Sequence, residues 1–191
     1  MLNAFPKSKL LGFSLIEMMV AVAVLAIMMS LAMPSYQTWL QNTQIRNATE
    51  SIQNGLQMAR GEAVKRNTNV TFVLLGADAT CSTSATCSSW EVRDVAGTVI
   101  QSRSSNEGSK KVARAVLPAG ATTITFNSMG GVGVPPNQPF NADGTAPFTQ
   151  IDLTSSSLAA AVSKNLMITI GLGGNARMCD PHASVSSPSA C

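Results

Sequence analysis

The stretch Gly12-Phe13-Ser14-Leu15-Ile16-Glu17-Met18-Met19-Val20-Ala21-Val22-Ala23-Val24-Leu25-Ala26-Ile27-Met28-Met29-Ser30-Leu31-Ala32-Met33 decides how the rest of the chain is read. From Phe13 to Met33 there are 21 residues, and Glu17 is the only charge among them. As an α-helix this run measures about 31 Å, close to the hydrocarbon thickness of a bilayer. It predicts a transmembrane helix, since apolar core helices of this purity are usually shorter. A carboxylate placed centrally in such a helix costs about 2.5–3.5 kcal/mol on insertion scales, and those retained tend to be functional. Glu17 either lies close enough to the helix end to reach the headgroups, or it pairs with a cation brought by another chain. The sequence pattern leaves both readings open.

Charges around the run set its topology. Lys7 and Lys9 precede it, and the next charge, Arg46, comes well after it. The positive-inside rule then keeps the N-terminus cytoplasmic and exports the remainder. An ordinary secretory signal would be cut after its apolar region at a small-residue site. Ser30-Leu31-Ala32 is a weak candidate for that, and a freely secreted product is the minor alternative.

A short basic leader followed by Gly12, Phe13, Ser14, Leu15, Ile16 and Glu17 resembles the class III signal of type IV prepilins. The resemblance implies that a membrane peptidase cuts between Gly12 and Phe13 and that the new N-terminal Phe13 is N-methylated. It also implies that Glu17 meets the N-terminal amine of a neighbouring subunit during assembly. An α-amino group, with a pKa near 8, is cationic at neutral pH. Opposite charges attract strongly in low dielectric, while either one alone is costly there. Pro34 is similar in place to the helix-bending proline that many pilins carry about one membrane length from the mature N-terminus.

Less leader and anchor, roughly 150 residues remain, enough for one soluble domain. Charged residues make up 12% of the chain, about half the usual share. Ser, Thr, Gly and Ala fill the gap, as expected of an exported β-rich domain. The formal net charge is +3, and without Lys7 and Lys9 eleven basic side chains face ten acidic ones. That balance lacks the many phosphate-neutralising side chains that non-specific nucleic-acid binding needs. Four cysteines, Cys81, Cys87, Cys179 and Cys191, lie beyond the anchor, where an oxidising compartment permits disulfides. Three pairings are possible, and the local one, Cys81–Cys87 with Cys179–Cys191, closes two short loops. A zinc site would want tighter Cys-x-x-Cys pairs or a histidine besides His182.

Beyond Pro34, Ile45, Ala48, Ile52, Leu56, Ala59 and Ala63 recur at spacings of three and four and make one apolar stripe. The helix is expected to run about 55 residues, with Lys65 and Arg66 suiting its negative end and Asn67 as its stop. Met58-Ala59-Arg60-Gly61-Glu62-Ala63-Val64-Lys65-Arg66-Asn67 resembles the Arg-Ser-Glu-Ala-basic-Arg helix end of the GspH/FimT group of minor pilins and pseudopilins, with Gly61 in place of the usual Ser.

Strands are expected at Val70–Leu75, Trp90–Val95, Val99–Gln101, Val112–Leu117, Thr123–Phe126, Ile151–Leu153, Leu166–Ile170 and Ala176–Cys179. Thr123 to Gly130 again resembles the GspH/FimT pattern, in which a strand ends in a glycine turn. Gly131 to Phe148 is a long Gly/Pro/Asn-rich excursion, and Ser155 to Lys164 is a turn of helix or a loop.

Catalysis has little to stand on: a nucleophile–base pair would need His182, which sits in a Ser/Pro-rich tail. Asn141-Ala142-Asp143-Gly144 is a fragment of a calcium loop without the later Glu and reads as a turn. Gly171-Leu172-Gly173-Gly174 lacks the helix a phosphate cradle requires. DNA-binding members of the resembling group share a C-terminal Gly-Arg-x-Arg. The matching stretch is Gly174-Asn175-Ala176-Arg177, where only Arg177 is present. A single arginine is too little for DNA without help from Lys110, Lys111 or Arg114.

The expected fold is therefore α+β: a long N-terminal helix, transmembrane in its first half, packed on a C-terminal antiparallel β-sheet domain, as in type IV pilins. Its parts are a leader (1–12), a membrane half-helix (13–33), an amphipathic half-helix (34–67) and a periplasmic β-rich domain (68–191). The resemblance implies a non-catalytic, cofactor-free minor pilin or pseudopilin in the bacterial inner membrane, with its N-terminus cytoplasmic. It would be incorporated, at the tip, into a type IV pilus or a type II secretion pseudopilus. Its partners would be other pilins through the helix, the prepilin peptidase and N-methyltransferase, and the inner-membrane assembly platform. The alternatives are a DNA-uptake pilin and a membrane-tethered periplasmic enzyme.

Overall fold

The computed structural model describes residues 12–76, 88–134 and 140–191. Leader residues 1–11, Cys81 and Cys87, and the middle of the 131–148 excursion lie outside the described residues. The chain divides into two compact units, Met1–Gln37 and Thr38–Cys191.

Helix α1 spans Leu15–Arg66, 52 residues, with Pro34 inside it. Ser14 sets its start: its Oγ accepts a hydrogen bond from the Glu17 N–H at 3.2 Å. Serine at the N-cap with glutamate three residues on is the sequence of a capping box, which satisfies amides that the first turn would leave bare. Within the first unit every residue from Gly12 to Gln37 is exposed, so no described residue covers its apolar run. Its most apolar window has a mean hydropathy of 2.4.

In the second unit the helix turns amphipathic. All six residues of the predicted stripe are buried, and Thr49, Ser51 and Gly55 join them. Gly55 permits the closest packing: a Cβ there would lie 2.7 Å from Cε2 of Phe72 and 3.0 Å from the Trp90 ring. The Trp90 indole N–H donates to Ser51 Oγ at 2.9 Å, and the Phe72 and Trp90 rings stack with centroids 5.4 Å apart. Asn67 ends the helix at φ 50°. Its N–H reaches the Val64 carbonyl and the Thr68 N–H the Ala63 carbonyl, each at 3.2 Å. This is the Schellman arrangement, in which a left-handed residue turns the chain back over the last carbonyls.

Eight strands follow: β1 (Val70–Leu74), β2 (Trp90–Arg93), β3 (Val99–Arg103), β4 (Val112–Leu117), β5 (Thr123–Phe126), β6 (Gln150–Ser155), β7 (Leu166–Ile170) and β8 (Ala176–Cys179). They form two four-stranded sheets, ordered β3-β2-β1-β5 and β4-β6-β7-β8, and every pairing is antiparallel. Val70, Phe72 and Leu74 of β1, Ile151 and Leu153 of β6, and Ile168 and Ile170 of β7 join the helix stripe in one apolar core. The strand β3 runs two residues past its expected end, because Ser102 and Arg103 pair with Glu91 and Trp90. Their polarity reads as loop, yet an edge strand half in water tolerates it. Residues 158–164 form turns without a helix.

Two asparagines organise the segment after β5. Asn127 Oδ1 accepts from the Met129 and Gly131 amides at 3.0 and 3.1 Å and shapes the turn. Asn141 lies along the outer edge of β5: its Oδ1 accepts from the Thr125 N–H at 2.8 Å, and its Nδ2 donates to the Thr123 carbonyl at 3.2 Å. The Gly133 N–H donates to the Thr125 carbonyl at 2.8 Å.

Candidate functional site

Two ends of α1 carry the residues singled out in the sequence. At the start, Gly12, Phe13 and Ser14 stand outside the helix, and Phe13 is 79% exposed. A bond in non-helical, uncovered backbone can be drawn into a protease, whereas one inside a helix must first unwind. Glu17 is exposed in the first turn, at the electropositive pole of the helix. Its backbone amide is engaged by Ser14, and its side chain is exposed.

At the far end the structure brings together the two stretches that resemble GspH/FimT sequences. Arg60 Nε donates to the Gly130 carbonyl at 3.1 Å. Gly130 and Gly174 both hold positive φ, 78° and 77°. A Cβ on Gly174 would fall 2.0 Å from the Gly130 carbonyl oxygen, so only glycine fits that contact. The helix end thus grips the turn after β5, which in turn abuts the β7–β8 hairpin. Glu62 accepts from Lys65 Nζ at 3.1 Å and Arg66 Nε at 2.7 Å. The Arg66 and Lys65 hydrogen bonds hold its carboxyl below the usual range.

The two arginines considered for DNA are engaged within the chain. Arg114, buried in β4, gives its NH2 to the Leu75 carbonyl at 2.6 Å, and burial lowers its pKa to about 10. It ties the second sheet to the end of β1, so its guanidinium is engaged by backbone within the chain. Arg177 is exposed, but its NH2 donates to the Pro188 and Ala190 carbonyls at 3.3 and 3.1 Å. Those carbonyls belong to a tail closed by the Cys179–Cys191 disulfide. His182 is exposed in that tail. Asn141 to Gly144 form the expected turn, closed by the Gly144 N–H to the Asn141 carbonyl at 3.0 Å. Among the described residues no group of three His, Cys, Asp or Glu gathers to hold a metal.

The Ser14 cap was missed in the sequence, where Ser-x-x-Glu was the signal that could have found it. The Arg60 and Gly174 contacts left no such signal, because their partners lie far away in the chain.

Comparison with known proteins agrees with this anatomy. The family model described as type II transport protein GspH matches residues 48–174, more than half of the chain. The prokaryotic N-terminal methylation motif matches residues 8–33. No curated protein matches. Two crystal forms of the Pseudomonas aeruginosa type IV minor pilin FimU are similar at 13% identity. The first has a TM-score of 0.49 over 78% of this chain and 98% of that one. The second has a TM-score of 0.47 over 74% and 98%. With its N-terminal methylation motif on an apolar helix and the GspH match across the helix end and both sheets, the chain belongs to the GspH family of minor pilins and pseudopilins, membrane-anchored structural subunits that associate with other pilins.

Proposed function

We propose that the chain is a prepilin, cut between Gly12 and Phe13, N-methylated at Phe13, and built into the tip region of a type IV pilus or a type II secretion pseudopilus. The observation that carries this is the helix from Leu15 to Met33, exposed along its whole length and apolar except at Glu17, its one charge, and Ser30, whose hydroxyl bonds back to the Ile27 carbonyl. Such a surface is stable in lipid first and then against the apolar helices of neighbouring subunits. It follows that the N-terminus starts in the cytoplasm and residues 68–191 are exported, with a peptidase/methyltransferase and a membrane assembly platform as transient partners. Glu17 sets the register by pairing with the amine of an adjacent subunit. No catalytic step is assigned to the chain. DNA uptake is disfavoured by the burial of Arg114 and the tail contacts of Arg177.

The test compares sheared filament fractions from cells carrying the native chain and Glu17→Ala. Loss of the variant from filaments, with its membrane pool retained, is the expected result. Normal recovery of the variant would refute the role of Glu17. A purified chain that still began at Met1 would refute the processing.

A further inference from the structure

The loop between β6 and β7 folds against the helix turn Gln41–Asn42, with the segment leading into β4 beside it. Gln41 Oε1 accepts from the Ser155 and Ser157 hydroxyls at 2.9 and 2.5 Å. Asn42 Nδ2 donates to the Val162 carbonyl at 3.2 Å, and its Oδ1 accepts from the Lys164 N–H at 2.9 Å. The Ser156 N–H donates to the Lys111 carbonyl at 2.9 Å, which sets the start of β4 beside the same place. Lys110, Lys111 and Lys164 are therefore gathered at one rim, all exposed and with no ion pair among the described residues.

The other charges at this rim largely cancel. Arg46 pairs with Glu50 and Arg103 with Glu107, and Asp180, which shares a hollow with Lys164, offsets one lysine charge of the three. The lysines leave a net positive rim.

Its place in the sequence gives this rim a partner. Gln41 follows Met33, the last residue of the apolar run, by eight positions, and Trp39, 61% exposed, stands between them. Tryptophan beside an apolar span favours the headgroup layer, and lysines close to an anionic bilayer are drawn to it over about a Debye length. We propose that this rim docks on anionic phospholipid headgroups and holds the exported unit against the bilayer until assembly extracts the subunit. The inference rests on the membrane reading above.

The test uses the full chain in vesicles of phosphatidylcholine alone and of an equal mixture with phosphatidylglycerol. Flotation reports anchoring, and the rate of amine acylation reports lysine access residue by residue. Lys65, at the opposite end of the helix in this unit, is the internal control. The expected result is flotation with both vesicles and labelling of Lys110, Lys111 and Lys164 slowed about fivefold or more by phosphatidylglycerol, reversed by high salt, with Lys65 unchanged. Flotation with equal labelling in both vesicles would overturn the rim inference and leave the anchor standing. Absence of flotation would overturn both. Protection by added duplex DNA over phosphatidylcholine, with none from phosphatidylglycerol, would assign the rim to nucleic acid and refute the lipid inference. Lys110→Gln, Lys111→Gln and Lys164→Gln together change only exposed side chains. In the native protein phosphatidylglycerol should also shift the tryptophan emission, through exposed Trp39 and not buried Trp90; the triple variant should lose that shift, and its retention, or its absence in the native protein, would count against the proposal.

Discussion

Gly55 and Gly61 sit in the same helix and make opposite predictions. Alanine normally favours a helix over glycine by about 1 kcal/mol. A methyl group on Gly61 would point into open space, with nothing within 4 Å, so Gly61→Ala should raise stability by about that amount. Gly55→Ala drives a methyl into Phe72 and Trp90, and overpacking of this kind costs about 1–3 kcal/mol. Urea midpoints of the two variants should therefore move in opposite directions. Neither outcome was legible in the sequence, where both are helical glycines and the rings lie in strands. Arg114 is a second such residue. Its charge reads as surface, yet it supplies the donor for the Leu75 carbonyl. Arg114→Ala should cost about 1–3 kcal/mol by stranding that acceptor, measured as a lowered denaturation midpoint.

At the scale of the element, α1 was the most legible part. The period of Ile45, Ala48, Ile52, Leu56, Ala59 and Ala63 marked its buried face, and Asn67 marked its end. Both are local signals, carried by side-chain spacing and by a residue that tolerates positive φ. Asn67→Val should shorten the helix and destabilise the unit, because a β-branched residue resists that conformation; circular dichroism and thermal melts would show it. Glu62 gives the helix end a pH dependence. Its pKa is depressed when folded, so its contribution is full above the ordinary carboxylate range and fades as pH falls through the folded value. Native protein and Glu62→Gln should differ at neutral pH, converge in acid, and draw closer together in high salt.

For the whole molecule, strand positions were readable from alternation, but the division into two sheets was not. It depends on pairings such as β1 with β5 and β4 with β6, set by contacts far apart in sequence. The candidate assembly residues could be proposed from the sequence because Gly12, Phe13 and Glu17 fall within one six-residue stretch. The Cys179–Cys191 bond closes a tail with a sequence separation of 12. Replacing both cysteines by serine should lower stability by about 2–3 kcal/mol on the chain-entropy account. Chemical denaturation of the native protein with and without reductant, beside the double variant, would check it.

The placement of Asn141 has a consequence for life in a crowded array. An open strand margin invites another chain to extend the sheet, the route to fibrous aggregates. Here one amide side chain imitates a single peptide unit of an added strand, and the Gly133 amide fills the next rung. The outward amide of Thr125 and the carbonyls of Thr123 and Thr125 are thus taken within the chain, and a neighbour approaching from this side cannot use them to extend the sheet.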